Sequence, residues 1–245
     1  MDDSSGEELE HSVGECGHVV EMLESLTEYL LMTRVSGELN MDVFSETVVC
    51  KLAGSFLTVQ RGSEVCQAAV QSCFAWPVDA VSCRDLSLLF MAMDRFELRD
   101  DRAIEELLWR MHQRLWHAVC VKEATDIALA PNAKECAQKE WDLNSAATTW
   151  AALRKLGALS AHGERRRRDA LATLAWATGV LVQGSVEGSW AERMQPKQFS
   201  ILVPGVVEAA RSSSVSHEWT DPLLQCLAHA ASLPDWTAGA SFQFR

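Results

Sequence analysis

Apolar residues recur along this chain at i, i+3, i+4 and i+7, the spacing that lays one apolar face on an α-helix. Leu86, Leu89, Phe90 and Met93 fit the template, and Phe96 extends it. Ile104, Leu107, Leu108 and Met111 fit it again, with Leu115 and Val119 behind them. Leu143, Ala146, Ala147 and Trp150 make a third stripe, and Leu171, Leu174, Ala175 and Thr178 a fourth. Leu223, Cys226, Leu227 and Ala230 make a fifth. Windows near Val48–Phe56 and Val65–Cys73 are compatible with helix, and strand-like alternation is nearly absent. The pattern predicts an all-α chain.

Punctuation pairs these helices. Ser82-Cys-Arg-Asp85 reads as a capping box before a helix over 85–97. Asp100 or Asp101 caps the next, over 102–119, and Asp221-Pro222 supplies an N-cap and an N1 proline before the last. Gly157 stands where the 143–156 helix should stop. The gaps 122–141 and 184–197 read as loops or short helical excursions. Leu88–Phe96 aligns without gaps on Thr148–Leu156, so that Phe90 falls on Trp150, Met93 on Leu153 and Arg95 on Lys155. Fainter copies begin near Asp42 and Gln198. Stacked two-helix units of this size make an α-solenoid of helical hairpins, each burying its stripe only against its neighbours. Residues 1–40 read as an acidic tail and a capping helix, in which Val19, Val20, Leu23, Leu26, Leu30 and Leu31 share a face. The helical-repeat domain then covers 41–245.

Composition adds a charge asymmetry. The 245 residues carry a formal net charge of −12. Residues 1–50 hold twelve acids and one base, Arg34, for a net of −11; the remainder is nearly neutral. That argues against a generally basic nucleic-acid binder. The eight cysteines form no C-x-x-C and read as free thiols in a reduced compartment. No stretch reaches the roughly 18–20 apolar residues that a membrane span needs. The first fifteen residues, rich in acids, are the opposite of an organellar presequence.

Arg165, Arg166, Arg167 and Arg168 are the conspicuous charge cluster. Four guanidinium groups at a helix start could meet phosphates or an acidic partner surface, or simply be solvated. Lys122, Lys134, Lys139, Arg154 and Lys155 would extend that patch if the fold gathers them. Among nine tryptophans, Trp109, Trp116, Trp150 and Trp176 fall on or beside apolar stripes and read as core. Trp141, Trp190, Trp219 and Trp236 lie in connections or at helix starts, where they are candidate partner-binding anchors. His112 and His117 are five apart, a poor spacing for zinc, and Cys16 with His11 and His18 reads as tail. No Gly-rich phosphate loop, G-x-S-x-G or catalytic set stands out, so neither an enzyme nor a cofactor or metal is expected.

Trp150-Ala-Ala-Leu-Arg-Lys-Leu-Gly157 resembles the W-A-x-x-K-L-G ending of the first helix in organellar helical-hairpin repeats. These are the octotricopeptide and heptatricopeptide repeats, found also in FAST-kinase-like and RAP-domain proteins. Leu86–Phe96, followed by Arg-Asp-Asp and a Leu-rich helix, is similar to a second copy, and the likeness covers 82–182. It does not extend to the RAP module, since no strand-rich segment precedes Ser241–Arg245. The resemblance implies residence in mitochondria, or else in plastids, and service either in RNA binding or in a large assembly. The reading is therefore a non-catalytic structural subunit of a mitochondrial ribosome, bridging protein subunits with local ribosomal RNA contact. The alternatives are a free organellar RNA-binding regulator and an accessory subunit of a respiratory complex or ATP synthase.

Overall fold

The computed structural model describes residues 39, 41–57, 62–122, 127–129, 133–159, 165–187, 195–211 and 217–232, with five positions between 22 and 29. Within them the apolar stripes wind into α1 (Glu46–Phe56), α2 (Ser63–Ser72), α3 (Cys83–Arg95) and α4 (Asp101–Val119). After these come α5 (Ala133–Glu140), α6 (Leu143–Lys155), α7 (Arg165–Glu187), α8 (Pro196–Arg211) and α9 (His217–Ser232). The described residues are all-α apart from one antiparallel hairpin, β1 (Cys120–Lys122) with β2 (Ile127–Leu129). That hairpin and α5 fill the gap expected to hold loops or short helical excursions: the short helix agrees, and the hairpin was not expected. Three-residue strands are too short to show alternation, and over 135–140 of α5 only Ala137 is fully buried. The last helix begins at His217, so Asp221-Pro222 lie inside it rather than at its cap.

Helix packing follows a simple order. In one row α1 packs on α3, α3 on α6 and α6 on α8; on the other side α4 packs on α7 and α7 on α9. The short α5 is wedged against α4 and α7. Their inward faces share one continuous core, from Val49 and Phe56 through Leu86, Phe90 and Trp150 to Leu202 and Leu223. The helical positions described between 22 and 29 include Leu26, which packs against this core, while Met22 and Tyr29 are exposed. The remaining positions of the expected N-terminal helix lie outside the described residues.

The correspondence between α3 and α6 extends to both ends. Each has 13 residues and starts 60 positions from the other (143 − 83). Ser82 caps α3 by accepting from the Asp85 amide at 3.2 Å, and Asp142 caps α6 by accepting from Ser145 at 2.8 Å. Both helices finish in a Schellman motif. Leu98 and Ala158 each return an N–H at 2.9 Å to Met93 and Leu153. This puts residues 97 and 157 in the left-handed region, Glu97 at φ 53° and Gly157 at φ 72°. Glycine adopts that conformation freely; glutamate does not.

A buried hydroxyl joins the two copies. Ser87 Oγ donates to the Cys83 carbonyl at 2.8 Å and accepts from Trp141 Nε1 at 3.1 Å and Thr149 Oγ1 at 2.9 Å. Trp141 is fully buried by this arrangement. Its expected role as a partner anchor is corrected: the indole sits in the core, because its N–H has an internal acceptor. On the next interface α8 crosses α6 so closely that a Cβ on Gly205 would lie 2.7 Å from the Trp150 carbonyl oxygen.

Two outcomes follow from these contacts. Ser87→Ala strands the Trp141 N–H and the Thr149 hydroxyl and should cost about 2–3 kcal/mol in urea unfolding; a change under about 0.5 kcal/mol would disprove the node. Glu97→Gly relieves the left-handed strain and should raise stability by about 1 kcal/mol, or about 3 °C in Tm. No gain would mean that Glu97 makes compensating contacts in that conformation.

Candidate functional site

The arginine cluster opens α7, whose first turn holds no acid. Four cations there oppose the positive end of the helix dipole. The acids that offset them stand mainly on α4. Arg166 reaches Glu106 at 3.1 Å and lays its guanidinium over the Trp109 ring, 4.8 Å from the centroid. Arg167 faces Asp101 at 3.9 Å with its side chain largely covered. Arg165 is 89% exposed and stands 3.7 Å from Asp169 of its own helix, and Arg168 is exposed. Two of the four thus latch α7 to α4, and two point outward. Arg154 and Lys155 do not extend the cluster: they pair with Glu208 of α8 and Asp94 of α3.

Beside Arg166 runs an aromatic ledge on α4. The His112 ring lies 4.7 Å from Trp109 and 5.9 Å from Trp116. Trp116, expected in the core, is 37% exposed, because its stripe neighbours Leu115 and Met111 take the inward positions. Thr173 Oγ1 donates to the Asp169 carbonyl at 3.1 Å, so its lone pair receives Nδ1–H of His112 at 2.7 Å, a tautomer assigned from the network. Burial holds the His112 pKa below the ordinary histidine value, against a smaller upward pull from Asp169. Of the other tryptophans, Trp219 lies in the first turn of α9, and Trp190 and Trp236 fall outside the described residues.

On the opposite row a groove of about 800 Å³ crosses α3, α6 and α8. Met91, Ala151, Ile201 and Pro204 give it an apolar floor, and Arg95, Arg99, Arg154 and Lys155 stand along it with Asp94 and Glu97. The sequence reading did not single out Arg95 or Arg99. The alignment of Arg95 on Lys155 was the available signal, since it places cations at one end of successive helices.

The four buried thiols are poor nucleophiles. Burial pushes Cys66 and Cys73 up to about 12, and raises Cys50 and Cys83 as well. Among the described residues no group of three or more His, Cys, Asp or Glu could hold a metal ion, and no helix is long and apolar enough to cross a membrane. Compared with known proteins, the chain matches no protein-family model, no curated protein and no solved structure.

The lowered His112 pKa gives a pH prediction with a definite sign. The unfolded chain takes up a proton near pH 6.5, whereas the folded chain resists it, so stability is complete above that value and falls as the pH drops below it. Thermal melts between pH 7.5 and 5.5 should show the decline, and His112→Gln should flatten it. An unchanged slope in the variant would assign the effect to other groups.

Proposed function

We propose that this chain is a non-catalytic helical-repeat scaffold, a short α-solenoid of stacked hairpins, serving as a structural subunit of a large organellar assembly. The observation that carries the reading is the 60-residue correspondence of α3 and α6 at both caps and both Schellman ends. Two rows of helices, each packed on its neighbours in turn, support it. Units of that kind bury their stripes sideways and leave their faces for partners.

A mitochondrial ribosome is the first candidate assembly, on the likeness of Trp150–Gly157 to organellar repeats. There the scaffold bridges protein neighbours, and Arg165 and Arg168 touch ribosomal RNA at its edge. The scaffold is favoured over a free RNA-binding regulator because Arg166 and Arg167 are engaged by Glu106 and Asp101. Fewer cations remain to release counterions from a phosphate backbone.

Sedimentation of the native protein tests this. It should travel with particles far heavier than its own 27.1 kDa, and nuclease should shift those particles. Arg165→Ala/Arg168→Ala should lower the fraction incorporated while the isolated chain keeps its Tm, as exposed substitutions generally do. Migration as a free small protein would reject the reading.

A further inference from the structure

The charge of this chain is divided. Residues 1–15 hold six acids (Asp2, Asp3, Glu7, Glu8, Glu10 and Glu15) and neither Lys nor Arg. The groove across α3, α6 and α8 has the complementary character, with four cations among its six charged residues. Lys155 and Arg154 are held by Asp94 and Glu208 at 2.7 and 3.0 Å. Arg95 and Arg99 are exposed, and neither forms an ion pair among the described residues. Between the cations and α8 the floor is apolar, with Met91 and Ile201 half-buried. Pro204 lacks the N–H that would close a helical bond to the Ser200 carbonyl, so the α8 wall also carries a backbone acceptor without its intrahelical donor.

We infer that the acidic segment 1–15, which lies outside the described residues, docks into this groove of its own chain. Glu7-Glu8-Leu9-Glu10 sets one apolar side chain among three acids, matching a Met91–Ile201 floor beside Arg95 and Arg99. The reach is ample. Positions 22–29 sit on the body through Leu26, and residues 10–21 ahead of them would cover about 18 Å if wholly helical and about 40 Å if extended, against the roughly 16 Å length of α1, which ends beside the groove residue Leu57. Tethering supplies a high effective concentration, so a weak contact suffices. The docking does not depend on membership of an assembly, so a failed sedimentation experiment leaves it standing, and the reverse.

The test uses the full chain with a photoreactive residue, Leu9→p-benzoylphenylalanine, irradiated when dilute and at low salt. The cross-linked product should run as a monomer and map to the α3 and α8 walls, Met91 foremost. Its yield should fall at least about three-fold at 0.3 M salt, where the Debye length shortens. It should fall as far in Arg95→Glu/Arg99→Glu, and return when that variant also carries Glu7→Lys, Glu8→Lys and Glu10→Lys. Circular dichroism controls the fold, and Arg95→Gln/Arg99→Gln serves if the reversal disturbs it. Cross-links elsewhere or none, a dimeric product, or a yield indifferent to salt and charge would each overturn the docking.

Discussion

The Ser87 hydroxyl uses everything a hydroxyl has, one donor and two acceptor positions, and the stacking of the helices depends on that. It takes hydrogen bonds from Trp141, just before α6, and from Thr149, within it. Neither can move along α3 without stranding a buried polar group. One residue on, Asp142 caps α6 and also receives Arg84 of α3 at 2.7 Å. At the other end Lys155 meets Asp94. The two helices are thereby held in register along their length, and the groove exists because that register sets Met91 and Arg95 beside Ala151 and Lys155.

Among the described residues, internal pairing engages eight of the Lys and Arg that follow residue 50. Arg110 is only 4% exposed; it donates to the carbonyls of Trp76 and Pro77 and pairs with Glu106. Arg114 binds the Asp79 carbonyl and Glu140, tying α4 to the 76–81 connection and to α5. Arg166 and Arg167 do the same for the start of α7. Guanidinium suits this work because its planar fork can serve a carboxylate and a carbonyl together. Half of a run that reads as a nucleic-acid patch in one dimension thus serves as a helix latch in three.

Most of the fold was legible because its stripes are long and its punctuation is chemical. Ser82, Asp100 and Gly157 act at the helix ends where their side chains or backbone freedom direct, while the Asp142 cap of α6 was not read from the sequence. The 120–129 hairpin was not legible, and α5 was legible only as a short helical excursion without bounds, since three-residue strands and an Ala-Lys-Glu-Gln segment carry no stripe to count. The faces were legible least. Periodicity says that a helix has an inner side, but not which rim residues a neighbour will cover. Trp141 was expected outside and lies in the core, whereas Trp116 was expected inside and is partly exposed. Each follows from a third element, Ser87 for one and the packing of Leu115 and Met111 for the other. The groove was invisible for the same reason: its walls come from helices more than 100 residues apart in the chain, Met91 to Ile201 and Pro204.

The repeat copies agree in the core and disagree in charge, and the disagreement has a use. Position 94 in α3 is Asp, while its counterpart 154 in α6 is Arg, followed by Lys155. That leaves α6 with a cation for each side. Lys155 turns back to Asp94 of α3, and Arg154 turns forward to Glu208 of α8. Such pairs are largely exposed and contribute at most about 1 kcal/mol each, so they are not what holds the row together. Their effect is on order. Helices with similar apolar faces could stack in several sequences, but only an arrangement with acid-bearing helices on both sides of α6 satisfies both cations. Apolar burial thus drives the stacking, and the divergent charges select which neighbour stands where.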